Sequence, residues 1–150
     1  MSEKKTAILN AVERITENYR NEELFISKNG RNLPDRSAVI DIVRDLKSVI
    51  FPGYFGVETS ARMFPEHYAG YWLNDLYDRM KEQIRIAFFY QADEEELEQL
   101  ETHAENVCAG FFEKLPEIQK MLLKDVQAGF DGDPAAKSKE EIIFSYPELF

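Results

Sequence analysis

Apolar residues recur at steps of three and four through almost the whole chain, and no other feature constrains its fold as strongly. Only a helix turns that spacing into a continuous buried face. The sequence therefore predicts an all-α protein: a bundle of about five amphipathic helices closed by a short carboxy-terminal helical turn. The first stripe runs from Thr6 to Glu23 and carries Ile8, Ala11, Val12, Ile15 and Tyr19. Ser27 to Asp35 is a turn-rich connector in which Asn29-Gly30 could make a hairpin turn, but its flanks are too short and polar for strands. Asp35 then caps the second helix, whose face is Val39, Ile42, Val43, Leu46, Val49 and Ile50. Phe51-Pro52-Gly53 stops it, and Phe51 to Gly56 reads as a packed aromatic turn.

A third helix is expected from Pro65 to Tyr90, with Ala69, Trp72, Leu73, Leu76, Met80, Ile84 and Ala87 on its face. Gln91-Ala92-Asp93 allows a reversal, with Asp93 capping a fourth helix that carries Leu97, Leu100, Ala104, Val107, Cys108 and Phe111. A turn this short makes the third and fourth helices antiparallel neighbours. Pro116 is expected to open a fifth helix at its first position, with Ile118, Leu122, Val126 and Phe130 as the stripe. Asp131-Gly132-Asp133-Pro134 breaks that helix. The chain then ends on Phe144, Tyr146, Pro147, Leu149 and Phe150. Two readings of that apolar ending stay open on these residues: the tail docks on its own core, or the chain stops where a longer protein continues.

At 150 residues, one domain is the natural expectation. The formal charge of −10 argues against a nucleic-acid partner, because phosphate binding draws on basic residues. Between Ile86 and Glu113 there is no Lys or Arg and there are eight acidic residues, which reads as a solvated helix face. No apolar run approaches the ~18 residues of a membrane span. Met1 to Lys5 is charged and no apolar leader follows it. A soluble cytoplasmic protein with no membrane partner is the expectation, and the single cysteine, Cys108, fits a reducing compartment.

The chain holds no phosphate-cradling glycine loop, no His-Glu-x-x-His and no Cys-x-x-Cys, so no metal site is expected. A di-iron bundle needs Glu-x-x-His on two helices. The residues three before His67 and His103 are Phe64 and Leu100, so that idea fails. Both histidines and Cys108 read as structural, with Cys108 a buried, inert thiol. Asp131-Gly132-Asp133 resembles the opening of a calcium loop, but the twelfth position is Ile142 where a glutamate is required. On chemistry alone, Asp133 reads as a cap on a short helix begun by Pro134.

Several segments carry a resemblance when taken together and in order. Lys124 to Ser138 contains Asp125-Val126-Gln127-Ala128 and then Asp133-Pro134-Ala135. Leu33 to Gly56 contains Leu33-Pro34, Arg36, Ala38-Val39-Ile40 and Phe51-Pro52-Gly53-Tyr54-Phe55-Gly56. Leu115-Pro116-Glu117-Ile118 and Glu141-Ile142-Ile143-Phe144-Ser145-Tyr146-Pro147 complete the set. From about Leu33 to Phe150 the chain resembles the amino-terminal helical domain of bacterial serine O-acetyltransferases; the first thirty residues match only loosely. The resemblance implies transfer of acetyl from acetyl-CoA to L-serine, giving O-acetylserine for cysteine biosynthesis. It implies a single assembly domain over residues 1–150, followed beyond Phe150 by a left-handed β-helix of hexapeptide repeats that holds the catalytic residues and the CoA groove. On that basis no catalytic residue, cofactor or metal site is expected in this chain, and alone it is expected to be inactive.

One functional residue carries over. Asp133 matches the aspartate of the family's Asp-Pro-Ala, which the resemblance makes a contact for serine or an inhibitory cysteine. Asp125 matches the earlier motif and is read as structural, a link between neighbouring helices. The implied partners are a second copy of the chain, L-serine and acetyl-CoA, with O-acetylserine sulfhydrylase as a candidate. The alternative reading is a stand-alone helical oligomerisation module without catalysis.

Overall fold

A computed structural model describes residues 2–27 and 30–145. The expected tail residues Tyr146, Pro147, Leu149 and Phe150, and Asn29 of the expected hairpin turn, lie outside the described residues. Every regular element among the described residues is helical: α1 Glu3–Asn18, α2 Arg36–Ile50, α3 Pro52–Phe55, α4 Glu58–Met63, α5 Pro65–Gln91, α6 Leu100–Gly132 and α7 Lys139–Ser145, with short 3-10 turns at Glu22–Leu24 and Glu96–Gln99. The all-α expectation holds. None of these helices is long and apolar enough to cross a membrane. The chain divides into two compact units between Leu33 and Pro34.

In the first unit, α1 begins before Thr6 because Ser2 supplies a cap, its hydroxyl accepting from Lys5 N. It ends at Asn18 rather than Glu23, because Asn21 accepts from Glu23 N and redirects the chain into a 3-10 turn. Tyr19 and Phe25 then meet edge to face, with centroids 6.1 Å apart. No residue of α1 is buried, and Ile8, Leu9, Val12 and Ile15 stay about half exposed.

In the second unit, Asp35 caps α2 as expected, its Oδ1 accepting from Ala38 N at 2.9 Å. Its own N–H donates to Gln83 Oε1 and ties the start of α2 to α5. Helix α5 begins on Pro65 and runs one residue past the predicted end. Asp93 Oδ1 accepts from Glu95 N and Glu96 N, while Glu96 Oε2 accepts from Asp93 N. This reciprocal cap makes the reversal after α5, but a 3-10 turn carrying Leu97 follows it and α6 itself starts at Leu100, later than expected. Phe88, late in α5, meets His103 early in α6, and Tyr77, eleven residues earlier, meets Glu105 and Phe112; Lys81 pairs with Glu101 beside them. The pair is antiparallel, as the short turn requires. Leu76, Ala104 and Cys108 are fully buried along this part of the unit.

Two expectations need correction. The aromatic segment after Phe51 is not a bare turn: Pro52–Phe55 forms a helical turn and Glu58–Met63 a further short helix. Pro116 does not open a helix either, because α6 is unbroken through it. The physical reason is the phase of the stripe. Ala104, Cys108, Leu115 and Val126 are all buried on one line that crosses the proline without a step out of register. An interior proline costs about 3 kcal/mol through the lost hydrogen bond and ring clash. Burial on both sides outweighs that cost here, at roughly 1.5–3 kcal/mol per apolar side chain.

Replacing Pro116 with alanine should therefore stabilise the protein by about 2 kcal/mol, since it restores a backbone donor to a helix already formed. The thermal midpoint should rise by about 6 °C. A fall in the midpoint would mean that packing requires the proline ring.

Candidate functional site

Asp133 follows the last residue of α6. Its N–H donates to Gly129 O at 3.1 Å, closing the helix, and its backbone turns to φ −111°, ψ 103°. Its Oδ1 accepts from Ala135 N at 2.8 Å, and its carbonyl accepts from Ala136 N at 3.1 Å. Aspartate favours such a turn because its carboxylate mimics a backbone acceptor two residues back. The cap reading of Asp133 thus needs correction: it ends α6 instead of starting a helix at Pro134. Ser138 takes the other role, its hydroxyl accepting from Glu141 N at the start of α7.

A hydrophobic cluster anchors this turn. Phe51, Val126, Ile142 and Ile143 are buried together, with Leu122, Phe130 and Ala136 packed against them. Ala136 belongs to the Asp133 turn itself, so the loop is fixed to the core three residues after the aspartate. Phe144 continues from α7 onto Tyr54 and Phe55, with ring centroids at 5.7 and 5.5 Å. The aromatic segment after α2, the end of α6 and helix α7 thus form one packed end of the unit.

The other candidates are dispersed. Asp125 is exposed on α6. Asp131 is helical, and its Oδ1 accepts from Gln127 Nε2 at 2.7 Å. No group of three or more potential metal ligands converges among the described residues. His67 is exposed near the start of α5. His103 lies against Phe88, with ring centroids 4.5 Å apart, beside an open cleft of about 460 Å³ also lined by Ala92, Glu96 and Asn106. Cys108 is fully buried, its thiol directed at Tyr77 O at 3.6 Å, and burial pushes its pKa up. A thiol so placed is a poor nucleophile.

Charge is organised between helices instead. Arg79 bridges Asp45 of α2 and Asp75 of α5 at 2.7 Å each. Desolvation opposes its charge, but hydrogen bonds to the two carboxylates raise its pKa overall. The hydrogen bond to Glu101 of α6 raises the pKa of Lys81. These pairs join α2, α5 and α6 at a distance in sequence from the Asp133 turn, and they serve the framework.

Residue reading missed Glu141. Its carboxylate accepts from Lys137 N at 2.8 Å while its own N–H donates to Ser138 Oγ. Ser138-Lys139-Glu140-Glu141 is the spacing of a helix-capping box, so the signal was present.

No protein-family model matches the chain. It is similar to a protein of Synechococcus elongatus described as "Serine acetyltransferase, plasmid", with 35% identity over 122 residues. The alignment covers 78% of this chain and 38% of that protein. The chain thus spans well under half the length of the relative it matches. The resemblance drawn from the motifs around Asp133 and Phe51 is borne out by a similarity spread over most of the sequence.

Proposed function

We propose that this chain, similar over most of its length to a serine acetyltransferase, is the helical assembly region of an enzyme that acetylates L-serine from acetyl-CoA. The 35% identity over 122 residues carries the reading. Catalysis and acetyl-CoA binding belong to a part of the enzyme outside this chain, and the product, O-acetylserine, feeds cysteine biosynthesis. The helical region brings copies together. The half-exposed stripe of α1 and Val39, Ile40 and Val43 of α2 support that role, because apolar rows of this kind favour burial against a partner. An O-acetylserine sulfhydrylase is the further candidate partner.

Asp133 is the residue this region lends to the active site. A carboxylate has about four acceptor positions, so an aspartate that caps a turn through Ala135 N can also meet a substrate ammonium or hydroxyl. A charge-assisted contact of this kind contributes about 1.5–3 kcal/mol, or tenfold and upward in affinity. Asp133→Ala in the whole gene product should raise KM for L-serine about tenfold and leave KM for acetyl-CoA unchanged. The chain alone should release no CoA from acetyl-CoA and serine. An unchanged serine KM would remove Asp133 from the site. Turnover by the chain alone would overturn the division of labour. A native gene product of 17.5 kDa, the mass of this chain, would replace the enzyme reading with that of a stand-alone module.

A further inference from the structure

We infer that Glu141 is a positioning residue for Asp133, an inference that rests on the proposed serine contact and deepens it. Among the described residues, bonds from Asp133 N to Gly129 O, Ala135 N to Asp133 Oδ1 and Ala136 N to Asp133 O hold the turn onto itself and onto α6. The bond from Lys137 N to Glu141 Oε2 is of another kind. It crosses from the turn to α7. The residues after Glu141, Ile142 and Ile143, are buried at 0% and 4% exposure, so the backbone that carries Glu141 is anchored in the core. Glu141 thereby references the far end of the turn to a fixed element. Gly129 references the near end, and Ala136, packed on the core, lies between Asp133 and that tie. An aspartate between two fixed ends holds its carboxylate in one place, and that constancy determines how well it meets a substrate ammonium.

The chemistry requires an acceptor at position 141 and not specifically a charge. Glu141→Gln keeps an amide oxygen in reach of Lys137 N, whereas Glu141→Ala leaves that N–H to water. Without the tie, the turn gains freedom while α6 and the buried part of α7 remain. The contact with serine weakens, and nothing in the change touches acetyl-CoA.

The test uses the whole enzyme. Glu141→Ala should raise KM for L-serine about fivefold, with kcat and KM for acetyl-CoA little changed, and Glu141→Gln should restore a near-normal value. Ser138→Ala removes the other cap bond of α7 without touching Lys137 N. It should lower thermal stability but leave serine KM in place, which separates positioning from folding. The double variant Asp133→Ala/Glu141→Ala should be no worse than Asp133→Ala, because Glu141 acts through that carboxylate. A normal serine KM in Glu141→Ala beside a raised one in Asp133→Ala overturns the inference and spares the functional reading. Additive effects in the double variant, or an equal rise in Ser138→Ala, overturn it too. A normal serine KM in Asp133→Ala overturns the functional reading, and the inference falls with it.

Discussion

Gly56→Ala should lower the thermal midpoint by about 10 °C, a loss of about 3 kcal/mol, although the glycine occupies backbone space open to any residue. Its φ of −117° and ψ of −159° are extended, so conformational strain is not the cause. The cause is close approach. A Cβ at position 56 would overlap the Tyr68 hydroxyl and stand 2.9 Å from the Ser48 carbonyl oxygen. Those two atoms are already partners, since Tyr68 OH donates to Ser48 O at 3.2 Å. The bond exists because α2 ends against a proline. Ser48 O would ordinarily accept from the N–H four residues on, but residue 52 is proline and has none. Tyr68 supplies the missing donor, Gln119 Nε2 likewise caps Ile50 O at 3.0 Å, and Ser48 Oγ binds Phe55 O at 3.0 Å. The added methyl must push tyrosine away from an orphan carbonyl. Overpacking costs about 1–3 kcal/mol and the lost bond a further 1–3. Tyr68→Phe should cost about 1 kcal/mol by itself, and in its background Gly56→Ala should become cheaper. A Gly56→Ala protein melting within about 2 °C of the parent would show that the segment moves aside without penalty.

The same residues show what was legible in the sequence. Two helix starts were readable, Asp35 capping α2 and Pro65 opening α5, because each signal is local; Asp93 marks the reversal, but α6 itself starts only at Leu100. The signal at Pro116 is two-sided. It suits a first turn, but whether a helix precedes it depends on tertiary burial of Cys108 and Leu115 that no short window contains. Asp133 was readable as a candidate only through resemblance. Its turn is local, but its anchoring depends on Ala136 packing against the buried cluster of Phe51, Val126, Ile142 and Ile143, which α7 completes. The Ser138-x-x-Glu141 spacing is local and legible in the sequence.

Ile142→Ala should be the most damaging single truncation at this end of the molecule, costing about 2–5 kcal/mol. Helix α7 has seven residues, too few to be stable alone in water, so it exists because its apolar side docks. Ile142 is 0% exposed and meets the cluster of Phe51 and Val126 beneath it. Truncation removes most of a buried side chain and leaves a void between two helices that cannot close independently. Phe144 is the instructive contrast. It touches two rings, Tyr54 and Phe55, yet it is 59% exposed. Aromatic pairs add about 0.5–1.5 kcal/mol each beyond area burial, and solvent already wets much of this ring, so Phe144→Ala should cost less than Ile142→Ala despite the larger side chain. Amide exchange across Lys139–Ser145 should report the order directly. In Ile142→Ala those amides should exchange far faster while those in the middle of α5 keep their protection, because local undocking precedes global unfolding. In Phe144→Ala protection should fall only modestly. Equal loss of protection in the two variants would mean that the aromatic contacts, not the buried isoleucine, hold α7 down. The turn that presents Asp133 would then be anchored through the segment at Tyr54 and Phe55.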